Sequence, residues 1–68
     1  MKNSLKVERA KQNFTQADLA KKIGVSRQTI NSIEIGKYIP SAVLAMKIAV
    51  VFNARVEDVF ILEDSDWQ

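Results

Sequence analysis

The twenty residues from Thr15 to Glu34, TQADLAKKIGVSRQTINSIE, constrain this chain more than any other stretch. They spell two short amphipathic helices with a glycine between them. Thr15 can cap the first helix, its hydroxyl accepting from the Asp18 amide, and Asp18 places negative charge in the first turn. Leu19, Ala20 and Ile23 fall on one apolar face, with Lys21 and Lys22 on the wet side. Gly24 stands where a left-handed residue ends a helix, Val25 plugs the turn, and Ser26 can cap a second helix from Arg27 to Glu34. In that second helix Ile30 and Ile33 point inward. Arg27, Gln28, Asn31 and Ser32 point out, and they include the hydrogen-bonding types that read base edges in a major groove. The pattern is a helix-turn-helix whose second helix is equipped for DNA.

Composition narrows the other classes. Sixty-eight residues give one small domain, 1–68, whose core supplies little surplus stability, so a partner subunit is expected. With no cysteine and no histidine, the chain lacks disulfides, the commonest soft metal ligands and the usual general base at neutral pH. No metal and no cofactor are expected. No cluster pairs a nucleophile with a base, so the chain does not read as an enzyme. The one long apolar run, residues 42–52 broken by Lys47, is too short to span a bilayer, and the N-terminus lacks a secretory pattern. A cytoplasmic protein with no membrane partner and no small-molecule ligand is the expectation.

The net charge of +2 hides a division. Residues 1–54 carry nine Lys or Arg against three acids, +6, while residues 55–68 carry Arg55 against five acids, −4. A basic body favours polyanions through counterion release, and an acidic tail should face away from phosphates.

Outside the central stretch, Leu5 and Val7 alternate with Ser4 and Lys6, which suits a short strand, and residues 7–13 then read as helix. Asn13 is a helix stop that tolerates a left-handed backbone, and Phe14 precedes the Thr15 cap as a core residue. Gly36 and Pro40 mark a loop after Glu34, and Ser41 can cap a fourth helix to about Phe52. That helix has only Lys47 clearly polar, so burial on more than one side is expected, under a wrapping C-terminus or a partner subunit. Residues 56–60 read as one more helical turn. A short strand at about 60–63 is expected to pair with residues near 2–5. Glu63, Asp64 and Asp66 read as a mobile acidic tail rather than a cation site, and Trp67 as a loose terminal aromatic or an anchor on a partner.

Taken together, Arg9, FTQADLAKKIGVSRQTINSIEIGKYIPS over residues 14–41, the apolar helix and VEDVF over residues 56–60 resemble the small Cro/C1-type (XRE-family) helix-turn-helix regulators. The strand-like NSLKV start and FILE end are similar to one subgroup, short dimeric repressors like the cytolysin-operon repressor. The resemblance implies an all-α, five-helix, lambda-repressor-like bundle with a small antiparallel sheet joining the termini. It implies a helix-turn-helix at about 15–34 and dimerisation elements at about 42–63. Arg27, Gln28, Asn31 and Ser32 would face the bases, with Arg27 and Gln28 the foremost readers. Gln16, Ser26, Thr29, Lys37 and the Tyr38 backbone amide would hold phosphates, Gln16 through its side chain and the helix N-terminus. Arg9 and Glu34 would form a structural ion pair. Val56, Val59, Phe60, Ile61 and Leu62, with the outer face of the fourth helix, would form a homodimer interface. Three positions depart from the family pattern: Ile35 replaces a frequent Asn, Arg55 a usual Ser cap, and Asn13 a frequent Gly.

The function implied is a sequence-specific regulator, a repressor, binding double-stranded DNA at a near-palindromic operator as a homodimer. The alternative from another class is an antitoxin-like or adaptor module that uses the same bundle for protein contacts.

Overall fold

Helix capping sets the boundaries of the central pair. The Thr15 hydroxyl accepts from the Asp18 N–H at 3.0 Å, and the Asp18 carboxylate accepts from the Thr15 N–H at 2.9 Å. This reciprocal box satisfies two donors that a helix start leaves open. Ser26 accepts from the Thr29 N–H and Ser41 from the Leu44 N–H. Each such cap contributes about 1 kcal/mol.

The computed structural model describes all 68 residues. Its elements are β1 (Lys2–Asn3), α1 (Leu5–Lys11), α2 (Gln16–Ile23), α3 (Arg27–Glu34), α4 (Ala42–Val51), α5 (Val56–Val59), β2 (Phe60–Ile61) and a 3-10 turn (Asp64–Trp67). Five helices and a two-stranded antiparallel sheet make up the fold, with Lys2 opposite Ile61 and Asn3 opposite Phe60. Helices α1 to α4 close alike. Asn13, Gly24, Gly36 and Asn53 take left-handed backbone (φ 58°, 77°, 81° and 53°). The residue after each one reaches back: Phe14 to Arg9, Val25 to Ala20, Lys37 to Ser32 and Ala54 to Ala49, all N–H to carbonyl at 2.9–3.0 Å.

One side chain from nearly every element meets in the centre. Leu5, Leu19, Ile30, Ile33, Ile48 and Val59 are fully buried, and burying a side chain of this size is worth about 1.5–3 kcal/mol. Helix α2 packs on α3 and α4, and α5 packs on α4. Phe14 stacks on Phe52 with ring centroids 6.4 Å apart, and the Lys22 ammonium sits 4.8 Å over the Phe14 ring.

Three expectations change, and that for the fourth helix is met on one flank. The first helix starts at Leu5, not Val7, because Leu5 drops into the core while Val7 stays in solvent. The apparent alternation was a single apolar anchor. The sheet is correspondingly shorter: Ser4 N–H donates to the Val59 carbonyl at 2.9 Å and the chain then turns into α1. Helix α4 buries Ala45, Ile48 and Ala49, and α5 covers one flank, but Val43, Met46 and Val50 face solvent. Its outer side is uncovered by the chain itself. The acidic tail is folded back: Glu63 and Asp66 close the 3-10 turn and lie 2.9 and 3.1 Å from the Met1 amine. Trp67, at its end, is exposed.

These caps predict a pH profile. The Thr15 amide and hydroxyl hold the Asp18 carboxyl below its ordinary range, and the Glu63 amide with the Met1 amine do the same for Asp66. Glu63 and Asp66 together raise the Met1 amine above its ordinary value. A depressed carboxyl contributes stability that is present above its unfolded pKa, about 4, and lost as pH falls through the lower folded value. A raised amine contributes below about pH 8 and loses it as pH rises through the folded value. Urea midpoints should therefore plateau in between and fall at both ends. Asp18→Asn should make the acid limb shallower; an unchanged limb would remove Asp18 as a contributor.

Candidate nucleic-acid interface

Helix α3 has two unlike sides. Ile30 and Ile33 are wholly inside, which fixes the helix's rotation about its own axis. The opposite side is then forced outward: Arg27, Gln28 and Asn31 are exposed, and Thr29 and Ser32 are half-buried at its flanks. The guanidinium of Arg27 and the amide of Gln28 hydrogen-bond to nothing else in the chain. Both keep their full complement of donors and, for Gln28, an acceptor. A free Gln amide can pair with adenine N6 and N7, and a free guanidinium with guanine O6 and N7.

Behind this surface runs a connected polar chain. Arg9 Nε donates to Glu34 Oε2 at 2.6 Å, Arg9 Nη2 to Glu34 Oε1 at 3.1 Å, and Arg9 Nη1 to the Phe14 carbonyl at 2.9 Å. The pair is largely enclosed, with side-chain exposures of 14% and 7%, and the Glu34 carboxylate raises the Arg9 pKa further. Gln16 Nε2 then donates to Glu34 Oε1 and to Asn31 Oδ1, each at 3.2 Å. Helix α1, the start of α2 and the end of α3 are thus tied through one carboxylate. A bidentate Arg–carboxylate pair of this kind sets direction as well as distance.

That chain alters the reading of several residues. Both Gln16 amide protons are engaged within the protein, where Gln16 orients Asn31, and open backbone donors lie beside it at this end of α2. Asn31, exposed and with its oxygen held by Gln16, has an amide nitrogen that bonds to nothing else in the chain. Ser26 and Thr29 hydroxyls lie 2.9 Å apart, bonded to each other. The Tyr38 N–H donates to the Ser32 carbonyl at 3.2 Å, as does the Lys37 N–H at 2.9 Å. The Tyr38 amide is thus engaged within the chain, beside the exposed Lys37 ammonium and the half-exposed Tyr38 ring. Two clefts flank α3. One of about 400 Å³ is lined by Gln16, Arg27, Gln28 and Asn31, and one of about 450 Å³ runs along Ser26, Gln28, Thr29, Ser32 and Tyr38. Gln28 borders both.

The residues expected at a homodimer interface divide. Val59 and Phe60 are buried in the subunit's own core, and Val56 packs against that core. An aliphatic or aromatic side chain already inside cannot also serve an outer surface. Ile61 and Leu62 are exposed at 48% and 58%. Sequence reasoning singled out Ile35 only as a departure from the family pattern, and the structure shows it exposed just after α3; it missed the bond from Asn3 Nδ2 to the Ile33 carbonyl at 2.9 Å, which seats the sheet beside the C-terminal end of α3. Only tertiary contact reveals that neighbourhood.

The family model described as Helix-turn-helix matches residues 5–59. The chain is 62% identical over 66 residues to an uncharacterised HTH-type transcriptional regulator of Methanocaldococcus jannaschii, covering 97% of this chain and all of that protein. It is 46% identical to an uncharacterised HTH-type transcriptional regulator of Bacillus subtilis, again covering 97% of this chain and all of the relative. The solution structure of the SOS-response transcriptional repressor LexA from Eubacterium rectale is similar at a TM-score of 0.75 and 36% identity. That match covers 94% of this chain, which spans 66% of the LexA chain.

Proposed function

The chain belongs to the helix-turn-helix family of Cro/C1-type (XRE) DNA-binding regulators, and we propose that it acts as a sequence-specific repressor. It binds a near-palindromic operator as a homodimer, each subunit laying residues 27–34 in a major groove. The observation that carries this reading is the pair of exposed, unengaged side chains of Arg27 and Gln28 on a helix fixed from behind by Ile30, Ile33 and the Arg9–Glu34–Gln16 chain. Side chains with no internal partner give up no hydrogen bond within the protein when they turn toward bases. Asn31 and Ser32 complete the base-facing set, and Ser26, Thr29, Lys37 and Tyr38 line the path of the phosphates.

A single module of this size makes few phosphate contacts and buries little surface, so a second copy is needed for strong discrimination. Exposed Ile61 and Leu62, with exposed Ile35 at the end of α3, are the apolar surface for that contact. Leu62→Glu should convert a dimer to a monomer in sedimentation equilibrium and weaken operator binding. A dimer that survives the change would move the interface elsewhere.

Filter binding against increasing salt tests the reading as a whole. Retention should be strong at low salt and fall steeply, since each neutralised phosphate releases counterions. Lys37→Ala should weaken operator and random DNA about equally and reduce the salt slope by about 1. No retention even at low salt would instead favour an adaptor role for the same bundle.

A further inference from the structure

The C-terminal end of α2 and the outer face of α4 frame an open groove of about 780 Å³. Its floor is apolar. Val43, Met46 and Val50 are exposed at 65%, 59% and 78%, far more than a side chain with a partner would be. They fall at i, i+3 and i+7, one stripe along about two turns of helix, roughly 10 Å. Its rim is cationic. Lys21, Lys22 and Lys47 border the groove, and none of them makes an ion pair within the chain. Lys22 is partly held in place over the Phe14 ring. The groove shares no residue with either cleft beside α3.

We propose that this groove docks an acidic amphipathic helix of another protein, so that the subunit can hold DNA on α3 and a protein partner on α2 and α4 at once. An apolar stripe two turns long, open along its length, is the shape that accepts a helix laid in a groove. The unpaired lysines select the sign of the partner: glutamates or aspartates flanking its apolar face meet them, whereas a basic helix is repelled. The same lysines oppose self-association through this face, because two copies set groove to groove would bring six ammonium groups together. The surface is therefore distinct from the Ile61 and Leu62 contact; simultaneous occupancy with DNA rests on the operator reading, whereas docking of the peptide alone does not.

The test uses the full chain and two synthetic helical peptides of about four turns, identical in their leucine face. One carries glutamates on its flanks and the other lysines in the same places. Titrated into the isotopically labelled protein, the glutamate peptide should give saturable NMR shifts centred on Val43, Met46 and Val50, and the lysine peptide should not. The exposed-charge variant Lys21→Glu/Lys22→Glu/Lys47→Glu should bind the glutamate peptide about tenfold or more weakly and gain binding to the lysine peptide. Adding duplex DNA to the wild-type complex should leave the peptide shifts in place. Equal binding of both peptides, no saturable binding of the glutamate peptide, displacement by DNA, or concentration-dependent shifts at the same residues in protein alone would each overturn the proposal. The last of these would hand the groove to a second copy of this chain.

Discussion

Replacing Arg9 with alanine should lower the unfolding free energy by about 3 kcal/mol, among the largest losses available to a single substitution outside the apolar core. The reason is the state of the survivor. Glu34 keeps a carboxylate that is 7% exposed and loses its bidentate guanidinium, leaving only the Gln16 amide as a partner. The Phe14 carbonyl loses its Arg9 donor in the same step. An exposed ion pair such as Arg55–Asp58 has neither problem, since water replaces the partner, and breaking it should cost far less. Replacing both members of the enclosed pair, Arg9→Met with Glu34→Leu, should recover much of the loss because no charge is then stranded. Urea denaturation followed by far-UV circular dichroism reads all three variants. A cost for Arg9→Ala as small as that for Arg55→Ala would mean the pair is effectively solvated. The operator affinity of folded Arg9→Ala protein should fall as well, since α3 loses the tie that sets its angle.

Gln28→Ala should cost the operator complex ten- to a hundredfold in affinity while leaving binding to random DNA unchanged. The range follows from the discrimination a bidentate side-chain–base pair supplies, about 1–3 kcal/mol. Gln28 borders both clefts beside α3 and has no internal hydrogen-bond partner, so its removal breaks no hydrogen bond within the protein. The unfolding midpoint should accordingly stay put. Equal losses on operator and random duplex would make Gln28 a backbone contact and remove it from the reading set.

Much of this arrangement was legible in the chain because the signals are local. Thr15, Ser26 and Ser41 cap helices three residues ahead of the amides they bond, and Asn13 and Gly24 end helices within one turn. Ile30 and Ile33 announce by their spacing which side of α3 is inside, and that decides which side is out. The failures lie where the deciding contact is remote in sequence. Leu5 could belong to a strand or a helix on its own pattern; only the core it enters settles the matter. Val59 and Phe60 look like surface apolar residues of a terminal segment until the sheet folds them under. Nor does the local pattern disclose that the Gln16 amide bonds Asn31 and Glu34, fifteen and eighteen residues away. The acidic tail was read as mobile, and an amine sixty-odd residues earlier closes it.

In vitro selection from a random duplex pool tests most directly whether the outward side of α3 reads DNA as half of a symmetric pair. The expected result is enrichment of a near-palindromic site whose half-site centres lie roughly 10 base pairs, about 34 Å, apart. Selection with the Gln28→Ala protein should relax one position in each half-site. A pool that stays random through successive rounds, at a salt concentration where the protein retains DNA, would contradict it.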